Sequence, residues 1–418
     1  MKSPPCKILV ITGVFPPTQI AEADHIARLS AELAARGYSV DVLTTENDNI
    51  PDSANHRIHR VMPSWRWAHR NRLLDFARQI DPDLVYIWYI GHGYDFHPMV
   101  TFAPTWLKGT LPRAKIVTQI TAPVGARPKL QNLVSRLIRK GAVLTSGSQG
   151  VDYAYGTLLR DSDRFVAMAG AHLSRFADAF PALGSKATII PPPPLVQLSP
   201  PGSASRQRGR DLMGFGANDL VFAYFGRLYR GKGLETLIDA FAVVHSKLPQ
   251  ARLAIVGGPI AVQLDQTWRL ESLYEQAQRL GIAQRIHWSG EFPFEGDTGS
   301  LYLRGADIAV LPFDEGAALN NSSIAACAAH DLPLITTIGN QVEPEFVDGQ
   351  NTLLIPATDA DALAVAMVRL GSDAALRVHL RAGIQALQAK HFSWETSVDR
   401  TVAVFEDALA GKRELVAS

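Results

Sequence analysis

The constraint that most limits how this chain can fold is an alternation that runs, stops and starts again. Short β-branched apolar runs alternate with segments carrying apolar residues at helical spacing, the pattern of βαβ units and parallel sheets. "KILVIT" (Lys7–Thr12) reads as a strand buried on both faces. The segment after it sets Ile26, Leu29 and Leu33 on one helical face, with Gly37 as its stop. "SVDVLTT" (Ser39–Thr45), "DLVYIWYI" (Asp83–Ile90), "AKIVTQIT" (Ala114–Thr121) and "AVLTSGS" (Ala142–Ser148) read as further strands. Then comes "ATIIPPPPLVQLSPPGSAS", whose four consecutive prolines can continue neither a helix nor a central strand. Pro191 to about Ser205 therefore reads as a stiff connection. Beyond it the alternation restarts with "LVFAYFG", "RLAIVGG", "RIHWSG", "DIAVLPF", "LPLITT" and "NTLLIP". The expected fold class is α/β, with two Rossmann-like doubly wound domains, 1–195 and 206–390, and a C-terminal helix in 391–418 packing back toward the first. Open parallel sheets bind ligands outside the carboxyl ends of their strands, so the expected site is a cleft that both domains face.

Composition removes several function classes. A length of 418 residues, 47% hydrophobic and 19% charged, is that of a globular protein with material for more than one core. The net charge of +1 gives no general attraction to nucleic acid or anionic surfaces, so any anion site must be local. Cys6 and Cys327 stand far apart and support neither a disulfide framework nor a cysteine zinc site. The apolar stretch near the N-terminus is too short for a signal peptide, and no window is long enough to span a bilayer. A cytoplasmic setting is expected.

Two stretches carry chemistry. "YFGRLYRGKGLETLIDAF" (Tyr224–Phe241) opens as a buried strand, passes through a basic, glycine-rich turn and closes as a helix with Leu234, Leu237, Ile238 and Phe241 on one face. A helix start offers free N–H groups and the positive end of the macrodipole, both of which suit a phosphate. Gly226, Gly231 and Gly233 let backbone approach a ligand, Arg227 offers a planar fork and Lys232 a point charge. Together they can neutralise a diphosphate leaving group without a metal; a solvated basic loop capping a helix would use the same residues. In "LPFDEGAALNNSSIAACAAHDLPLITT" (Leu311–Thr337) a strand end is followed by Glu315 and Gly316, and a helix begins near Ser322 or Ser323. Asn and Ser at such a start cap the helix, and the same geometry makes an anion site. In the first half, His92 of "YIGHGYDFHP" lies in a loop after a strand, and Asp24 and His25 begin a helix expected to face the cleft. All three are acceptor-contact candidates.

These stretches resemble a known family. "YFGRLYRGKGLETLIDAF" followed by "PQARLAIVGG" resembles the donor-domain signature of the GT-B glycosyltransferases of the group 1 type. "FPPTQIAEADHIARLSAELAARGYSVDVLT" resembles their acceptor-domain opening, and "FVDGQNTLLIPATDADALAVAM" and "FSWETSVDRTVAVFEDAL" their closing segments. The similarity covers most of the chain and is most specific from Tyr224 to Phe392. It implies transfer of a sugar from a nucleoside diphosphate sugar to an acceptor hydroxyl, with retention and with neither bound metal nor cofactor. It implies further that Arg227 and Lys232 hold the diphosphate, that Glu315 orients the donor, and that Gly226, Gly316, Asn320, Asn321, Ser322 and Ser323 complete the donor site. Acceptors of such enzymes are saccharides or lipid-linked glycans of envelope polysaccharides and glycolipids, which fits a loose contact with the inner face of a membrane.

The chain also departs from the family pattern. The common form carries a second glutamate eight positions after the first, where Ser323 stands here. The stretch better resembles a subgroup with a longer turn, but Asn320 and Asn321 occupy the place of its paired arginines. Thr121 stands where many relatives have a histidine near the reacting carbon, a place that makes it a fourth acceptor-contact candidate. Those departures keep two alternatives open: a non-catalytic nucleotide-sugar-binding partner protein, and a phosphorylase or epimerase of the same fold.

Overall fold

The computed structural model describes residues 6–18, 20–46, 56–123, 133–152, 154–259, 269–292, 296–340 and 342–414. The chain divides into two compact units, Met1–Pro191 with Ser397–Ser418, and Pro192–Thr396.

The first unit holds strands β1 (Lys7–Thr12), β2 (Ser39–Thr45), β3 (Arg57–Met62), β4 (Leu84–Tyr89), β5 (Lys115–Ile120), β6 (Arg164–Ala167) and β7 (Ala187–Ile189). They form one sheet in the order β3-β2-β1-β4-β5-β6-β7, with parallel pairings throughout. Its helices are α1 (Ala21–Ala35), α2 (Arg70–Ile80), α3 (Ala103–Thr110), α4 (Leu133–Ser146), α5 (Leu158–Asp161) and α6 (Gly170–Ala179). β1 and β4 are the apolar runs of the sequence, and Ile8–Ile11 and Leu84–Trp88 are fully buried because helices cover both faces of a parallel sheet. α1 turns Ala23, Ile26, Leu29 and Leu33 onto the sheet, as their spacing predicts.

The second unit repeats the plan. Strands β8 (Leu220–Phe225), β9 (Ala251–Val256), β10 (Ile286–Trp288), β11 (Ile308–Leu311), β12 (Leu334–Ile338) and β13 (Leu353–Pro356) are ordered β10-β9-β8-β11-β12-β13, again all parallel. Counted from β8 this is the Rossmann order 3-2-1-4-5-6, whose switch point lies between its first and fourth strands. Its helices are α7 (Ser203–Met213), α8 (Leu234–Lys247), α9 (Leu270–Arg279), α10 (Thr298–Gly305), α11 (Ser322–Ala329), α12 (Ala360–Ser372) and α13 (Ala374–Leu387). The last helix, α14 (Trp394–Glu414), starts in the second unit, where the Trp394 indole N–H donates to Pro194 O at 2.9 Å. It continues in the first, where Phe405 meets the Tyr86 ring edge-on at 5.1 Å and Asp399 and Asp407 pair with Arg36 and Arg164.

One expected strand is a helix. Ala142–Ser146 forms the end of α4, and the place beside β5 is taken by β6. The run "AVLTSGS" is too short for its period to tell strand from helix, and Leu144 is 69% exposed, which a strand inside this sheet could not be. β3, β6 and β7 escape the pattern for the opposite reason. β3 is a half-exposed edge strand carrying Arg57 and Arg60, while β6 and β7 have four and three residues.

An ionic cluster ties α7 to the second sheet. Asp307, just before β11, accepts hydrogen bonds from Arg210 Nη2 at 2.8 Å, from the Val221 N–H at 2.8 Å and from Arg206. Arg210 is 1% exposed, so removing Asp307 takes the hydrogen-bonded counter-charge from a buried guanidinium whose Nη1 still donates to the Gly216 and Ala217 carbonyls. Asp307→Ala should lower the stability of the second unit by about 3 kcal/mol or more. The measurement is urea denaturation, in which the earliest transition should move to lower denaturant.

Candidate active site

In the second unit both chemistry-bearing stretches lie at the switch point, one leaving β8 and the other leaving β11. They meet backbone to backbone. Gly233 has φ +68°, and a Cβ on it would stand 1.8 Å from Pro312 O, so a residue with a side chain would force the two loops apart. The Asp314 N–H donates to Gly231 O at 3.0 Å. A Cβ on Gly226 would come within 2.5 Å of Ser323 Oγ, which brings the start of the basic turn against the start of α11.

The charges are held in distinct ways. Lys232 Nζ lies 4.4 Å from the Phe313 ring centroid and 4.8 Å from that of Tyr229, so two aromatic faces fix an ammonium that remains partly open to solvent. Arg227 is exposed and pairs through Nη1 with Glu291 Oε1 at 2.9 Å. Asn321 caps α11: its Oδ1 accepts from the Ser323 N–H at 3.0 Å and the Ile324 N–H at 3.4 Å. Two of the donors expected to face an anion thus serve the cap, although the dipole of α11 still points there. Ser323 is buried; Asn320 and Ser322 are half-buried beside it. Glu315 is exposed and Gly316, at φ +101°, is buried. Burial, followed by the nearby Glu235 carboxylate, raises the pKa of Asp314 above the ordinary range.

The first unit has the same close approach at its own switch point, where a Cβ on Gly13 would stand 2.1 Å from Gly93 O. A pocket of about 350 Å³ opens there, lined among others by Glu46, Arg60, Trp65, His92 and Asp95. The Trp65 indole N–H donates to Thr45 Oγ1 at 2.8 Å, and that hydroxyl donates to Gly13 O at 3.1 Å, so the aromatic wall is tied to the glycine turn. Of the acceptor candidates, His92 is exposed on this pocket. Asp24 is half-buried in the first turn of α1. His25 is 3% exposed, edge-on to Trp88 at 4.7 Å; burial, with Arg28 adding, pushes its pKa down to about 3. Thr121 is buried just past β5, and its hydroxyl has no hydrogen-bond partner among the described residues. The structure therefore groups His92 with the pocket and leaves Asp24, His25 and Thr121 off its lining.

Among the described residues no three His, Cys, Asp or Glu side chains gather as a metal site, and no helix is long and apolar enough to cross a membrane.

Two family models match the chain. Residues 219–373 match "Glycosyl transferases group 1" and residues 23–193 match "Glycosyltransferase Family 4". The D-inositol 3-phosphate glycosyltransferase of Acidothermus cellulolyticus is 26% identical over 411 residues, 93% of this chain and 86% of that protein. The enzyme of the same name from Segniliparus rotundus is 29% identical over 266 residues, 61% of this chain and 55% of its own length. Among solved structures, sucrose-phosphate synthase from Thermosynechococcus elongatus superposes with a TM-score of 0.67 at 17% identity, covering 97% of this chain and 100% of that one. Anabaena HepE in complex with UDP and glucose gives 0.67 at 16%, covering 96% and 100%. The chain belongs to the group 1 glycosyltransferases.

Sequence reasoning about this glycosyltransferase missed what holds the Phe313–Asn321 turn. The end of β12 and the loop after it clamp that turn. Thr337 Oγ1 donates to Phe313 O, and the Ala317 N–H donates to Thr337 O at 3.0 Å. The Leu319 N–H donates to the buried Glu343 carboxylate, whose own backbone N–H donates to Ala317 O at 3.2 Å. A Cβ on Gly339 would stand 2.2 Å from the carbonyl carbon of Glu315. Glu291, the partner of Arg227, is equally remote in sequence. The one available signal was the carboxylates themselves, Glu291 after β10 and Glu343 after β12, each at the carboxyl end of a strand.

Were a diphosphate to seat on the basic turn, its charged hydrogen bonds with Lys232 would be worth about 1.5–3 kcal/mol. Lys232→Ala should weaken nucleoside diphosphate binding about tenfold or more while the melting temperature stays within a degree or two of wild type, roughly what a surface change allows. Calorimetric titration beside thermal unfolding reads both.

Proposed function

We propose that this glycosyltransferase moves a hexosyl group from a nucleoside diphosphate sugar to an acceptor hydroxyl with retention of anomeric configuration. The observation that carries the reading is the meeting of the Gly226–Gly233 turn with the start of α11 at the switch point of the second unit, which joins two cations and a helix N-terminus. In the reaction the bond between the anomeric carbon and the phosphate oxygen breaks, and its electron pair leaves on the diphosphate. The acceptor oxygen bonds to the same carbon from the face the diphosphate leaves, and its proton passes to the departing phosphate oxygen. The difficult step is charge development on the diphosphate, and preorganised cations in a partly desolvated turn stabilise it most.

Lys232, braced by Phe313 and Tyr229, and Arg227 carry that role. With two α11 N–H groups occupied by Asn321, more of the charge falls on these side chains than sequence reading suggested. Glu315, exposed beside Gly316 on the clamped turn, hydrogen-bonds sugar hydroxyls and sets donor orientation. UDP is the first nucleotide to test, because HepE of the same fold binds UDP and UDP-glucose. No metal or cofactor enters this scheme.

The acceptor side is the pocket of the first unit. An aromatic wall at Trp65 with carboxylates at Glu46 and Asp95, the Arg60 guanidinium and His92 suits a polyol or saccharide, free or lipid-linked. The curated relatives named for D-inositol 3-phosphate support a polyol. A place at the inner face of a membrane, in glycoconjugate or polysaccharide synthesis, completes the reading.

Two outcomes test it. Since side chains and a helix dipole meet the charge, donor turnover should be unchanged by EDTA; strict dependence on magnesium or manganese would remove the scheme. Glu315→Gln should keep the fold yet lower turnover at least ~100-fold, because a misoriented donor loses the benefit of positioning. Donor consumption is followed across a panel of polyol, saccharide and lipid acceptors, and equal turnover in mutant and wild type would sink the role given to Glu315.

A further inference from the structure

Among its described side chains, helix α4 turns aliphatics to water and an arginine inward. Its buried side includes Arg139 and Ala142, whereas Val134, Leu137, Ile138 and Leu144 are 63%, 59%, 41% and 69% exposed. Arg139 is anchored inward: Nη2 donates to Asp152 O at 3.2 Å, and the guanidinium stands 5.5 Å from the Phe102 ring centroid. At about 100° per residue the four outward aliphatics share an arc of roughly 120°. Lys140 borders that arc and Arg136 follows it, and both are exposed. The helix contains no Asp or Glu, and neither does any position from 122 to 151, in a chain that otherwise balances 41 basic against 40 acidic residues.

Monomeric proteins seldom leave a contiguous aliphatic strip to water. An aliphatic arc with a basic flank is the pattern of a helix lying in a bilayer interface, its apolar side chains among the acyl chains and its cations at anionic headgroups. We propose that α4 is the face on which this glycosyltransferase rests on an anionic membrane. A second copy of the chain is a poorer occupant, because a two-fold contact through α4 would set the basic flanks of both copies against each other. The assignment deepens the membrane location proposed above and rests on it.

The test uses the full chain, sedimented with vesicles of pure phosphatidylcholine and with an equal mixture of phosphatidylcholine and phosphatidylglycerol. Wild type should sediment with the mixed vesicles alone, and added salt should release it. Leu137→Ser/Leu144→Ser and Arg136→Glu/Lys140→Glu should each reduce partitioning about tenfold or more, with unfolding temperature unchanged. Partitioning of both double variants equal to wild type would overturn α4 as the face while leaving the membrane location standing. Wild type that ignores both vesicle types would overturn both. A wild-type dimer in gel filtration that the leucine variant dissolves would assign the strip to a second copy and likewise overturn the proposal.

Discussion

Everything at the candidate site of the second unit depends on how closely two loops can approach. Gly233 and Pro312 touch through backbone atoms, and this contact brings the exits of β8 and β11 together. Gly226 does the same against Ser323. Without side chains at these positions the basic turn lies against the N-terminus of α11. A Cβ at Gly233 would separate them by more than hydrogen-bond tolerance, so the constraint is steric before it is electrostatic.

Within that frame the charges are preorganised by different means. The ammonium of Lys232 is braced by two rings, which limits its conformers without neutralising it. Arg227 is held by Glu291 from the loop after β10, an exposed pair whose strength in water is small. A diphosphate bound as proposed would therefore meet little resistance in drawing that guanidinium away. The Glu315 turn, by contrast, is fixed from below by Thr337, Gly339 and the buried Glu343. Rigid support beneath an exposed carboxylate is the arrangement expected of a residue that must orient a substrate rather than move with it.

The first unit solves the same geometric problem with Gly13 against Gly93, and its pocket opens at the equivalent switch point. The two units thus share a plan and differ in chemistry. One presents lysine and arginine on glycine-flanked backbone; the other presents a tryptophan wall with two carboxylates, one guanidinium and one imidazole. That division suits the proposed reaction, in which one substrate is a phosphate ester and the other a polyhydroxyl compound.

By itself the sequence determined the two parallel α/β sheets, because runs such as "KILVIT" and "RLAIVG" must be buried on both faces and the segments between them are amphipathic at helical period. It also offered Arg227, Lys232 and Glu315 as candidates, since each lies beside glycine at the end of a strand. Tertiary structure alone decided three things. "AVLTSGS" ended a helix because so short an apolar run carries no period. His25 went to the core beside Trp88, because which way a helix face points depends on the sheet it covers. Glu291 and Glu343 joined the site across long sequence separations, which only the parallel order of β8 to β13 brings to one edge.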